Sequence, residues 1–196
     1  VLRRAANVRD LDETNAIPAS GVRYAEHGET HELMPSITIS GVEYSSDMTK
    51  ILGGSDGIRT IIFPEMVRSI RQGSFHGAKS LRSAVLSEGL EAVGTDEYAP
   101  NGEIYCGAFQ ESGLERVRLP STLKRIEYGA FWKCQKLKTV EFPEGLEYIG
   151  KECFAGSKLA TVQIPKAGVR AGENAFRDCP AKDAVVFRDG RVFQKE

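Results

Sequence analysis

The sequence predicts a repeat solenoid: a stack of strand-and-turn coils with one parallel sheet, capped at its C-terminal end by a β-hairpin. Three observations carry this reading. Pro120, Pro143 and Pro165 fall 23 and 22 residues apart, and Phe109, Phe131, Phe154 and Phe176 repeat the ruler at 22, 23 and 22. Between these marks runs one sentence of about 22 residues, Leu-x-x-Val-x-[Phe/Leu/Ile]-Pro, then Leu-x-x-Ile, a small residue and Phe. It begins at Leu114, Leu137 and Leu159, with looser copies at Ile58 and Leu81. Near the end, Asp189-Gly190 stands between two apolar runs. Repeats of this length mean that each unit packs mainly on its neighbours and that stacking builds the core.

Each element follows from local chemistry. Residues 1–36 form a polar-rich, non-repetitive arm, expected to pack on a partner or to fold back on the solenoid. The chain opens on Val1, which reads as a removed leader or a trimmed start. Ser36 to Tyr44 alternates (Ile37, Ile39, Val42, Tyr44) around Ser40-Gly41, so residues 37–57 form either a capping hairpin or an eroded first repeat. Gly53-Gly54-Ser55-Asp56-Gly57 reads as a turn leading into the array.

The repeats occupy 58–187. Their short strands point Ile61 with Phe63, Val117 with Leu119, Val140 with Phe142, and Val162 with Ile164 inwards, and stack at ~4.8 Å per coil. Proline follows because it has no N–H to donate to a ladder; in the second copy Ser87 takes its place. Leu123, Leu146 and Val169 turn back into the core, Ile126 and Ile149 continue the buried line, and Gly-Ala-Phe at 107–109 and 129–131 builds a Phe column. The interval from Phe75 to Phe109 is 34 residues, so the surplus at 95–105 reads as an inserted loop. Ala184–Phe187 and Arg191–Phe193 flank Asp189-Gly190 as a capping hairpin over 184–193, glycine supplying the positive φ of a tight turn.

Bulk properties fit such a domain. The chain has 196 residues, 41% hydrophobic and 27% charged, with net charge −1. That is enough apolar material for a core, and near-neutral charge gives no reason to expect nucleic acid. No apolar run approaches the ~20 residues that span a bilayer, so membrane association is expected only through a partner.

The wording at 114–179, for example Leu137-Lys138-Thr139-Val140-Glu141-Phe142-Pro143 followed by Ile149-Gly150 and Cys153-Phe154, closely resembles the BspA-like class of leucine-rich repeats. The resemblance covers about 58–187. It implies a leucine-rich-repeat right-handed β/turn superhelix that binds proteins or surfaces, without a shared active site. Stretches such as Glu144-Gly145-Leu146-Glu147 and Gly94-Thr95-Asp96-Glu97-Tyr98 are also similar to repeats encoded in unicellular algae.

No chemistry-bearing motif competes with this. Cys134 and Cys179 share a repeat position two coils apart, about 9.6 Å from the strand spacing, which exceeds the ~7 Å Cα limit for a disulfide. Cys106 and Cys153 lie at other positions and there is no C-x-x-C, so the four cysteines read as free thiols. His27 and His31 stand four apart among Glu26, Glu29 and Glu32, a metal spacing if helical, but Gly28 and the absent apolar periodicity favour a solvated segment. His76 is alone. No G-x-G-x-x-G or Walker loop appears. No catalytic residue, cofactor, metal or small-molecule substrate is expected.

The expectation is therefore a non-catalytic interaction or scaffold protein. On the strand face, Ile62, Val85, Arg118, Glu141, Gln163 and Val185 form one outward row, beside Thr60, Ser83, Arg116, Thr139, Thr161 and Asp183. Ile62 and Val85 with Arg116, Arg118 and Glu141 have an interface composition. An ordinary solvated sheet face is the competing reading. Tyr98, Ile104 and Tyr105 of the inserted loop are the second candidate surface. Two forms follow: an accessory subunit of a larger assembly, membrane-associated and organellar as in an algal chloroplast photosynthetic complex, or a free extracellular or cell-surface recognition and adhesion protein. An enzyme would need a deep pocket near the loop or a metal between His27 and His31.

Overall fold

The computed structural model describes residues 36–54, 57–94, 106–166, 168–181 and 185–187. The array has three hydrogen-bonded sides, each built from the same segment of successive repeats. The first carries the longer strands. β4 (Thr60–Ile62), β6 (Ser83–Val85) and β8 (Arg116–Arg118) pair in parallel, in the register Thr60↔Ser83↔Arg116, Ile61↔Ala84↔Val117 and Ile62↔Val85↔Arg118. The central residue of each strand points into the core and its neighbours point out, as a period of two requires. Ile61 and Ala84 are buried, and Val117 is partly buried against the core.

The second side answers the expectation of one parallel sheet with a correction. β7 (Ala92–Val93), β9 (Arg125–Ile126), β10 (Tyr148–Ile149) and β12 (Arg170–Ala171) form a separate four-stranded parallel sheet. Each rung is two residues long, one half in and one out. Val93, Ile126 and Ile149 are fully buried.

The third side is made of turns. Phe75 N donates to Ala108 O at 2.7 Å, Phe109 N to Ala130 O at 2.8 Å, Phe131 N to Cys153 O at 2.8 Å and Phe154 N to Ala175 O at 2.8 Å. The residue two after each Phe (Gly77, Glu111, Lys133, Gly156, Asp178) has a positive φ of 53–69°. The sharp exit this gives lets the chain leave the turn within one residue. Three of these five positions are not glycine, so about 1–2 kcal/mol of backbone cost is accepted at each.

Inside, five phenylalanines stack face to face. Phe75–Phe109, Phe109–Phe131, Phe131–Phe154 and Phe154–Phe176 have centroids 5.1, 5.4, 5.2 and 5.6 Å apart and planes within 7° of parallel. The close approach of the coils depends on small residues beside the rings. A Cβ on Gly107 would lie 1.8 Å from Gly129 O, so no larger residue fits there without moving the backbone.

The N-terminal end is closed by antiparallel strands. β1 (Ser36–Ile39) and β2 (Val42–Ser45) form a hairpin whose loop, Ser40-Gly41, has positive φ at both residues (50° and 79°). That is the backbone of a type I′ turn, whose twist suits a two-residue hairpin. β3 (Lys50–Gly54) pairs with β2 antiparallel and with β5 (Ser69–Ile70) in parallel, joining the hairpin to the first coil. Gly53 and Gly54 belong to β3 rather than to a turn; the ring of Phe75 fills the space a Cβ on Gly54 would need. Ser55 and Asp56 lie outside the described residues.

Two further expectations are corrected on the strand side. Lys138 to Phe142 forms no strand: no backbone hydrogen bond joins Thr139–Phe142 to either neighbouring coil among the described residues. The ladder resumes with β11 (Val162–Ile164), which pairs in parallel with β13 (Val185–Phe187) in the register Val162↔Val185 and Gln163↔Val186. Val185 is thus buried beside Val162, not part of the outward row with Gln163. That pairing occupies one edge of β13, the first arm of the expected capping hairpin. The expected second arm, Arg191–Phe193, lies outside the described residues.

Phe131 is fully buried between two stacked rings. Phe131→Ala should cost about 3–5 kcal/mol, because a cavity opens in mid-column with coils on both sides resisting collapse. Urea unfolding checks this: parent-like stability would contradict the packing frame.

Candidate functional site

The strand face presents the expected surface residues in part. Ile62 and Val85 lie side by side across β4 and β6, and Arg118 continues their row. Ile62 is 70% exposed, the larger of two exposed large hydrophobics among the described residues; the other is Met66 at 41%. Arg116 and Arg118 stand on the same outward face of β8, two residues apart and both exposed. Glu141 is exposed on the following coil, but without the strand pairing that would fix it in the row. The structure therefore gathers Ile62, Val85, Arg116 and Arg118 on one ladder and sets Glu141 across a break from them. Tyr98, Ile104 and Tyr105 lie outside the described residues, as do His27, His31 and the arm.

The break opens a groove of about 450 Å³ between β8 and residues 139–143. Arg116, Arg118 and Val117 form one wall, Thr139 and Glu141 the other, with Phe142 and Pro143 also lining it. Phe142 stands edge-on to Phe154, with planes at 86°, whereas Phe63 at the equivalent position of the first coil lies at 23° to Phe75. The interruption coincides with this different ring seating. Glu88 and Ser121 line the groove as well. Ser121 donates to Glu88 from Oγ at 2.8 Å and from N at 3.1 and 3.2 Å. These bonds, with the more distant charge of Arg118, hold the Glu88 carboxyl below its ordinary pKa.

No signal in the sequence marked this groove, since Lys138–Pro143 reads as the best copy of the repeat. A second feature was also unread. On the sheet of short rungs, the Arg125 guanidinium lies 4.7 Å from the centroid of Tyr148, and Arg170 lies 5.9 Å from the same ring. Tyrosine between two arginines at one repeat position gives cation–π contacts from both neighbouring coils.

The cysteines are structural. All four are free; Cys134, Cys153 and Cys179 are buried and Cys106 is half-buried. Ser112, Cys134, Ser157 and Cys179 occupy one repeat position in alternation. The Cys134 thiol donates to Phe109 O at 3.1 Å and the Cys179 thiol to Phe154 O at 2.9 Å. Burial pushes the Cys134 pKa up to about 11 and that of Cys153 well above the ordinary thiol value. Neutral thiols here act as small hydrophobes with a weak donor and not as nucleophiles. Among the described residues no group of three or more His, Cys, Asp or Glu could hold a metal ion.

With this geometry in view, the comparisons agree on one class. The profile of the BspA type leucine rich repeat region matches residues 37–100 and 102–190 in six copies, one more than the five that the Leu-x-x-Val spacing marks. The chain belongs to the BspA-type leucine-rich-repeat family. Among solved structures it is similar to the T. pallidum leucine rich repeat protein TpLRR, at 24% identity and TM-score 0.56, over 70% of this chain and 64% of that one. It is also similar to the pneumococcal vaccine antigen PcpA, at 19% identity and TM-score 0.53, over 78% of this chain and 42% of that one. The chain thus spans less than two thirds of either protein, and the likeness is one of fold. No curated protein shows significant sequence similarity.

The burial pattern makes a testable statement about the thiols. In the native protein at pH 8, a small disulfide reagent should titrate Cys106 first, and Cys134, Cys153 and Cys179 only after denaturant is added. Rapid reaction of all four without denaturant would mean that the coils around Phe109–Phe176 are not closed.

Proposed function

We propose that this chain is a non-catalytic protein-interaction module whose strand face, Ile62, Val85, Arg116 and Arg118, meets its partner. Leucine-rich-repeat chains are in general protein-interaction modules. The observation that carries the reading is Ile62, left 70% exposed beside Val85 and next to two arginines in the same ladder. Arginine beside an exposed apolar surface has the composition of interface centres, where a partner excludes water from both. Glu141 adds a charge of opposite sign at the margin. Tyr98, Ile104 and Tyr105 extend the proposed contact as the second surface.

The form we favour is an accessory subunit held in a larger assembly, including a membrane-associated organellar one. Among the described residues no helix is long and apolar enough to cross a membrane; in this form the partner carries the attachment. The second form is a free cell-surface or extracellular recognition protein. In its favour stands the similar fold of a pneumococcal protein described as a vaccine antigen.

Native mass in a gentle extract of the source, with co-migrating proteins identified, separates the two. Migration in one large complex is expected; migration as a single free polypeptide would favour the free module. Replacing Arg116 and Arg118 together with Glu should leave thermal unfolding nearly unchanged and release the chain from its complex. Retention of both variant side chains in an intact complex would move the interface off this face.

A further inference from the structure

The groove beside β8 is also an open strand edge. In a parallel ladder, alternate residues direct their backbone groups to opposite sides. Arg116 N donates to Arg82 O at 3.1 Å and Arg118 O accepts from Leu86 N at 3.0 Å, so these two residues face β6. The backbone groups of Val117 and Leu119 are consequently aimed the other way, at residues 139–142. Both residues line the groove, and no backbone hydrogen bond crosses it among the described residues. Elsewhere the coils are closed by hydrogen bonds on the turn side and on the side of short rungs. An unpaired strand edge is a template for a further strand.

The side chains above that edge select the strand. Arg116 and Arg118 are exposed on one face of β8, two residues apart, hence about 6.8 Å along the chain. Acidic residues at alternate positions of an extended peptide have the same spacing. No ion pair of either arginine is present among the described residues within 4 Å. Of the two carboxylates in the groove, Glu88 is occupied by three hydrogen bonds from Ser121, while Glu141, which lines the same groove as the arginines, has none among the described residues.

Resting on the interaction reading above, we propose that the groove between β8 and residues 139–143 docks an extended partner segment bearing acidic residues at alternate positions. Its backbone pairs with Val117 and Leu119, and its two carboxylates lie over Arg116 and Arg118. Main-chain pairing supplies affinity and the alternate side chains supply selectivity, the division of labour seen wherever a peptide adds to a sheet edge. Glu141 opposes the same segment and tunes its affinity downwards. The site is specific to this chain's broken ladder, because a continuous strand at 139–142 would occupy the edge.

The test is fluorescence-anisotropy binding of a labelled, end-blocked peptide Thr-Glu-Thr-Glu-Thr-Glu-Tyr to the full chain at low ionic strength. Binding is expected, weaker by about tenfold or more when each Glu of the peptide is Gln or when Arg116 and Arg118 are both Glu, and weakened by salt. Glu141→Gln should tighten it. N-methylation of alternate peptide amides should weaken binding when the methylated edge is the one facing β8 and leave it unchanged on the other edge. Circular dichroism melts confirm that the variants are folded. Equal affinity for the Glu and Gln peptides, indifference to methylation on both edges, or no binding overturns the proposal. If the peptide does not bind but the double arginine variant still loses its native complex, the strand face is the interface and edge docking is wrong. If instead the chain self-associates and the double arginine variant alone becomes monomeric, the occupant is a second copy.

Discussion

Everything in this molecule depends on one constraint: the ring of each coil must lie flat on the ring of the coil before. The column Phe75–Phe109–Phe131–Phe154–Phe176 keeps its planes within 7° over five coils. Rings so aligned fix both the rise and the rotation of the repeat. They also fix where the backbone must bend, since the residue two beyond each Phe takes a left-handed conformation whether it is Gly77, Glu111, Lys133, Gly156 or Asp178. The turn side is therefore the rigid spine. The strand side follows it, and can be interrupted without breaking the stack.

That division explains how a fold made of repeated coils acquires a groove. The coil around Leu137–Phe154 is tied to both neighbours through Phe131 N to Cys153 O and through the pairing of β10. With two sides secured, its third is free to depart from the ladder. The departure exposes an edge of β8 and opens the groove. Repetition supplies stability, and a local failure of repetition supplies individuality, as expected where each unit depends on nearest-neighbour contacts.

Much of the fold was legible because its core rule is a spacing. Phe and Pro fall at fixed intervals, and Leu81, Leu114, Leu137 and Leu159 at the start of each copy are fully buried, as a repeated apolar position should be. Legibility failed where the information is not periodic or is too short. Two-residue rungs such as Arg125–Ile126 carry no alternation, so the second sheet could be read only as a buried line. The alignment of Val185 with Val162 rather than Gln163 is a one-residue slip, which exchanges inside for outside. The outward residues Ile62, Val85, Arg116 and Arg118 were recoverable because register and alternation together place them. The groove was not, since Lys138–Pro143 matches the repeat best and forms no strand.

Residue-resolved amide hydrogen exchange of the full chain tests the central claim most directly, because it reads each side of each coil separately. Phe109, Phe131, Phe154 and Gly150 should be strongly protected, while Thr139–Glu141 and the amides of Val117 and Leu119 exchange quickly within the same cooperative array. Uniform protection through 139–142, equal to that of β6 and β11, would mean a continuous ladder, with no open edge and no groove.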